Sequence, residues 1–335
     1  AGWKGKFQFD LGNADGSNEV AVKDAYMQYK GFENMKLTIG NAKSTFSREA
    51  LTSSKKQQLV ERTFVGDHNY GSLDRTTGIH LTGHTEGKNI EWATQVAVAA
   101  VDPDATKLDF DSVANDAADW NQGFVFGARV DYHPFGLLKK SQGDFKGEQK
   151  ATIGIGVFTW NNDGDVEGYP TKITTTTIPD TSTGAAPGDT LDVVHEVSDT
   201  GKPALDRVTG IEISVAYRNA GFSLDAQYNT FEADTVDATH TGGIYQNGST
   251  TLSNWAVEGG YMIVAKTLEI AAGYQVQDAD GYATEWKRTS VGLNYYVAGH
   301  DIKFQLTHRM GEGKDGKTGS AGDLDETFLQ AQYVF

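Results

Sequence analysis

Along most of the chain hydrophobic and polar residues alternate one for one in segments of about ten, the period of a β-strand with one apolar and one polar face. The pattern predicts strands near 3–11, 20–32, 35–41, 76–85, 90–101, 121–133, 150–160, 208–218, 221–231, 254–264, 268–277, 286–297, 302–309 and 326–335. In 90–101, Ile90, Trp92, Val96, Val98 and Ala100 share one face, and Glu91 and Gln95 the other. In 302–309, Ile302, Phe304 and Leu306 oppose Lys303, Gln305, Thr307 and Arg309.

The connections sharpen the topology. Short ones fall at Glu33-Asn34, Glu86 to Asn89, Asn219-Ala220, Ala265 to Thr267 and Ala298 to Asp301, with a longer one at Pro134 to Gln149. They alternate with long ones at 42–75, 102–120, 161–207, 232–253 and 310–325, and smaller members at 12–19 and 278–285. Strict alternation of short and long implies an up-and-down sheet whose two rims differ. About 14 strands close around an interior too wide for side chains to fill, so the apolar face must look outward, into lipid. The fold class expected is therefore all-β: a transmembrane antiparallel up-and-down β-barrel, formed by 1–335 as one unit. The last strand, with Thr327, Leu329, Ala331, Tyr333 and Phe335 on one face, ends on an aromatic as outer-membrane barrels do. Trp92, Tyr132, Phe135, Trp160, Phe222, Tyr295, Tyr296 and Tyr333 near strand ends would form interfacial girdles.

Composition narrows the class. In 335 residues the longest apolar run is Val96 to Val101, far short of the roughly 20 residues a spanning helix needs. There is no cysteine, which excludes disulfides and thiolate metal sites. Ala1-Gly2-Trp3 opens directly on a strand pattern, with no signal peptide visible. The formal net charge of −16 resides in 102–120, 161–207, 232–253 and 310–325, the remainder being neutral in sum. The acidic balance thus belongs to the long loops. Segment 42–62 runs the other way, with Lys43, Arg48, Lys55, Lys56 and Arg62 against Glu49 and Glu61. It is either a solvated surface loop or, folded into the lumen, an anion-favouring constriction.

Motifs of enzyme chemistry are weak. Gly311 to Thr318 fits the P-loop expression, but Gly319-Ser320-Ala321-Gly322-Asp323 and a strand follow where a helix is needed. Asp163, Asp165, Glu167 and Gly168 imitate the start of an EF-hand loop, yet its twelfth position is Thr174. His80 and His84 share a strand face roughly 13 Å apart, too far for one metal. The expectation is no enzyme, no catalytic residues, no cofactor and no metal.

Gly40-Asn41-Ala42-Lys43-Ser44-Thr45-Phe46-Ser47-Arg48-Glu49-Ala50-Leu51-Thr52-Ser53-Ser54-Lys55, followed by Val60-Glu61-Arg62, resembles a stretch of the phosphate-selective porin O and P family. Asp24 to Tyr29, Gly292 to Tyr296 and Gln332 to Phe335 are similar to it too. The resemblance implies a trimeric outer-membrane porin of about 16 strands, whose third loop, here within 42–75, dips into the channel. That is two strands more than the pattern supplies, so either a hairpin preceding Ala1 is absent from this sequence or the barrel has fewer strands. It also implies a ladder of cations, for which the candidates are Lys43, Arg48, Lys55, Lys56, Arg62, Arg129, Arg218, Lys303 and Arg309, with Lys4, Lys6, Lys30 and Lys36 on lumen faces. Asp10, Asp24, Glu91, Asp131, Glu212 and Asp225 fall on the same faces and dilute it. The expected function is passive diffusion of small hydrophilic solutes or ions with a weak anion preference, phosphate among the candidates. The expected setting is a homotrimer in the Gram-negative outer membrane, in contact with lipid and lipopolysaccharide, with no nucleic-acid partner. The alternative is a structural or adhesion barrel whose 161–207 loop binds a surface partner.

Overall fold

The computed structural model describes residues 2–11, 20–102, 104–115, 121–164, 171–179, 181, 186, 190–198 and 203–334. Phe335, Asp165, Glu167 and Gly168 lie outside them. Among the described residues, fourteen strands follow one another in chain order, each antiparallel to the next. They are β1 (Trp3–Leu11), β2 (Val20–Tyr29), β3 (Met35–Lys43), β4 (Arg75–His84), β5 (Ile90–Asp102), β7 (Gln122–Tyr132) and β8 (Lys150–Asn162). The order continues through β11 (Leu205–Asn219), β12 (Phe222–Thr235), β13 (Ser249–Val264), β14 (Leu268–Ala279), β15 (Trp286–Ala298), β16 (Ile302–Glu312) and β17 (Leu324–Tyr333). A short β6 (Asp109–Asp111) pairs with β5, and β9 (Thr171–Pro179) with β10 (Thr190–Ser198) makes a separate hairpin.

Four elements depart most from the pattern-based expectation, the three-residue β6 inside the 102–120 connection among them. The β9–β10 hairpin lies within what reads as a loop, because Thr174 to Thr177 give no alternation for a buried face to enforce. Strand β13 begins at Ser249 rather than near 254, since Ser249 to Ser253 are mostly small polar residues whose two faces look alike. A four-residue helix, α1 (Arg48–Leu51), sits in the β3–β4 connection.

The faces are inverted relative to a water-soluble barrel. On β5, Val96 is 54% exposed and Gln95 2%; on β16, Phe304 is 50% exposed and Lys303 0%. Along these strands the polar and charged residues are buried and the aliphatic ones face out, the arrangement that lipid solvent selects, with antiparallel ladders joining each of the fourteen strands to the next. Glycines at close approaches help the wall bend. Gly40 on β3 has φ +123°, and a side chain there would strike the Ala25 carbonyl on β2.

Candidate functional site

The β3–β4 connection, residues 44–74, folds into the lumen and bonds to the opposite wall. Two aromatic anchors hold it. Phe46 is fully buried and packs edge-on against Phe158 of β8 at 4.8 Å, beside Phe231 of β12 at 5.7 Å. Phe64 meets Trp286 of β15 at 4.8 Å, and the Arg288 guanidinium lies 4.3 Å from the Phe64 ring centre and 4.2 Å from that of Trp286. Between the anchors, Glu49 organises the segment: its carboxylate accepts bonds from the Thr63 amide at 3.0 Å, the Thr63 hydroxyl and Gln57 Nε2 at 3.2 Å. Burial pushes its pKa up, against the charge of Arg62 and the Thr63 bonds. Arg62 donates to the carbonyls of Glu49 and Thr52. The far wall supplies the rest: the Arg48 amide donates to Glu212 (3.3 Å), the Glu49 amide to Gln227 (3.1 Å) and the Phe64 amide to Gln275 (2.9 Å), while Asn294 donates to the Gln58 carbonyl (2.8 Å).

Because this segment leans on β11 to β16, space remains along the inner faces of β1 to β5. It takes the form of two cavities. One of about 480 Å³ lies toward the short-turn rim and is lined by Lys6, Asp24, Lys36, His80, His84 and Arg129 among others. The other, of about 260 Å³, lies toward the long-loop rim beside Asp10, Lys23, Arg62, His68, Asp74 and Arg75. Lys43 and Ser44 line both, so they stand where the two meet. The Lys43 ammonium donates to the Ala50 and Thr52 carbonyls, which fixes its head against α1.

Many lumen cations are neutralised by carboxylates. Lys6 pairs with Asp24, Lys23 with Asp10 (3.6 Å), and Arg75 with Asp74 (2.7 Å) and Asp24 (3.2 Å). A belt of alternating charge crosses the wall from β5 to β12: Lys140 bonds Glu91 and Asp131, Arg129 bonds Asp131 and Glu212, and Asp225 is shared by Arg48 (3.6 Å) and Arg218 (2.6 Å). Gly154 and Gly156 of β8 make room for it, since a side chain at Gly154 would strike the Arg129 guanidinium and Asp131. Of the sequence-derived candidates, Arg48, Arg129 and Arg218 are therefore held by carboxylates, as is Arg309 by Glu326 (2.6 Å). Lys303 is buried and donates to the Gln57 carbonyl at 2.9 Å. Lys55 and Lys56 are half-exposed at the turn where the segment meets β17 and residues 133–149. Among the described residues, Lys36, Lys43 and Arg62 are cations along the two cavities with no carboxylate oxygen within 4.0 Å.

Sequence reasoning missed Arg75, Lys140 and Gln142. Arg75 opens β4 directly opposite Lys43, a pairing that only the register reveals. The P-loop-like Gly311 to Thr318 runs from β16 into 3-10 turns at Lys314–Gly316 and Gly319–Gly322, with no helix to cradle a phosphate. Among the described residues no group of three or more metal-ligating side chains converges.

A model of the family described as phosphate-selective porin O and P matches residues 1–168, just over half of the chain. No curated relative matches the chain. Among solved structures it is similar to OmpT of Vibrio cholerae with loop L8 deleted (TM-score 0.55, 14% identity, 99% of this chain and 84% of that one). It is also similar to an anion-selective porin from Comamonas acidovorans (TM-score 0.55, 11%, 99% and 81%) and to the outer-membrane channel DcaP of Acinetobacter baumannii (TM-score 0.53, 12%, 99% and 80%). These likenesses show the β-barrel fold. With its lipid-facing apolar surface, its polar lumen and the family match, the chain belongs to the phosphate-selective porin O and P family and forms a channel of the Gram-negative outer membrane.

Proposed function

We propose that this protein is a passive diffusion porin with a modest preference for small anions, in which residues 44–74 constrict the lumen and Lys43, with Lys36 and Arg62, sets the sign. The whole chain works as one barrel, and three copies assemble as a homotrimer embedded in outer-membrane lipid and lipopolysaccharide. Trimerisation is supported by an OmpT structure of Vibrio cholerae described as a trimer form, at TM-score 0.52. The observation that carries the reading is the unpaired Lys43 ammonium where the two cavities meet. An anion passing there exchanges water for a cation already held by two carbonyls, while the paired belt contributes almost no net field. Phosphate meets Lys36, Lys43 and Arg62 one after another rather than in one convergent cluster, so the preference is for anions as a class with phosphate binding weakly. The test is charge reversal. Lys43→Glu with Arg62→Glu moves the zero-current potential toward cation selectivity, whereas Lys266→Glu, on an exposed short turn outside both cavities, leaves the sign of selectivity unchanged. An unaltered potential in the double variant contradicts the assignment.

A further inference from the structure

We infer that the inward turn 133–149, on the short-turn rim, is a second barrier that closes the half of the lumen under β11 to β16, latched to segment 44–74 through Gln142. The inference rests on the pore reading above and adds to it a reason why solute is confined to the β1 to β5 side. Nothing about a turn between β7 and β8 requires so many residues, since the other turns on this rim need only a few. Its length is used inside the barrel. Ser141 offers its carbonyl to Arg218 of β11 at 2.8 Å, and Asp144 accepts from the Gly221 amide at 2.8 Å. Phe145 packs edge-on against Tyr296 of β15 at 4.8 Å and against His300 at 5.0 Å.

Gln142 joins the two inward elements. Its amide donates to the Lys56 carbonyl at 3.0 Å, and its Oε1 accepts from the Gln58 amide at 2.8 Å. Its Nε2 donates to Glu258 of β13 at 2.6 Å, and its carbonyl accepts a bond from His300 at 2.9 Å. A neutral side chain with one donor end and one acceptor end is what this position needs. A carboxylate would face Glu258, and an alanine would leave the Gln58 amide and Glu258 without partners in a buried seam. The space left between Arg48, Glu49, Gln142, Asp225, Gln227 and Glu258 is about 20 Å³, room for about one water. Hydrated ions cannot use it, so current passes on the other side of segment 44–74.

The chain has no cysteine, so a redox pair can test the seam within one folded molecule. In Lys56→Cys with Gln142→Cys, incorporated into planar bilayers and into liposomes, oxidation should join the two elements and keep the conductance and sugar size limit of the unmodified protein. Reduction should raise conductance by about 2-fold and admit larger neutral sugars, because the seam at Gln142 can then part and admit ions on the β11 to β16 side. Gln142→Ala should behave permanently like the reduced form. Failure of the disulfide to form in the folded protein, or identical conductance and size limit in both redox states, overturns the latch while leaving the channel intact. Absence of current in every form, including the unmodified protein, instead overturns the pore reading on which the latch rests.

Discussion

Phe46 shows how a single residue links sequence to the proposed constriction. It is fully buried, at the entrance of segment 44–74, among rings from β8 and β12. Removing such a ring costs about 3–5 kcal/mol where the site cannot collapse. Phe46→Ala should therefore free this end of the segment without touching a charge: single-channel conductance rises and becomes noisier, while the sign of ion selectivity stays that of the parent. Unchanged conductance and noise would show that the ring does not hold the segment. The role of individual cations was only partly legible at this scale. Parity brings Arg129 and Arg218 to lumen faces and the basic segment 42–62 offers Arg48, but neither can say that Asp131, Glu212 and Asp225 sit within bonding distance, since most of those contacts join elements far apart in the chain. Lys43 and Arg62 stand apart because their partners are backbone carbonyls, which no charge count reveals.

Among the elements, the strands were legible wherever one face meets lipid, because a one-residue slip would turn every side chain to the wrong solvent. Hence β1 and β14 begin at Trp3 and Leu268, where alternation places them, while the β9–β10 hairpin and the three-residue β6 carry too little pattern to be read. Connections are harder, since their shape comes from contacts with one another. The strand β6 and segment 44–74 clasp across the long-loop rim: the Gly71 amide donates to the Leu108 carbonyl at 2.7 Å, the Phe110 amide to the His68 carbonyl at 3.1 Å, and His68 Nδ1 to Asp109 at 2.9 Å. Burial alone would lower the pKa of His68, but the bond to Asp109 and the charges of Asp109, Asp67 and Asp74 raise it to about 9. A histidine free in the unfolded chain titrates near 6.5. The folded value is the higher one, so the stabilisation is complete below about pH 6.5 and is lost as pH rises through about 9. Amide exchange at Gly71 and Phe110, corrected for intrinsic rates, should accelerate between pH 6 and 10 in the parent and change much less in His68→Gln. Equal acceleration in both would remove His68 from the clasp.

For the molecule as a whole, charge is sorted by depth. The excess of −16 lies in the long loops, while the lumen wall sets acids beside bases and, among the described residues, leaves Lys36, Lys43 and Arg62 without a carboxylate partner along the open side. A strong filter would need those cations convergent and desolvated together; strung along the β1 to β5 face, they bias the sign of the current and bind no single anion tightly. Inversion of the two faces was legible from size alone, because a sheet of this many strands cannot fill its own interior with side chains. The path through it was not, because it depends on what segments 44–74 and 133–149 leave empty. The anion preference is tested most directly by the zero-current potential of the purified protein in a planar bilayer under a KCl gradient, repeated with phosphate added. The expected potential has the sign given by chloride moving more readily than potassium, with phosphate reducing the chloride current only at high concentration. A potential of the opposite sign, or strong block by phosphate at low concentration, would contradict that expectation.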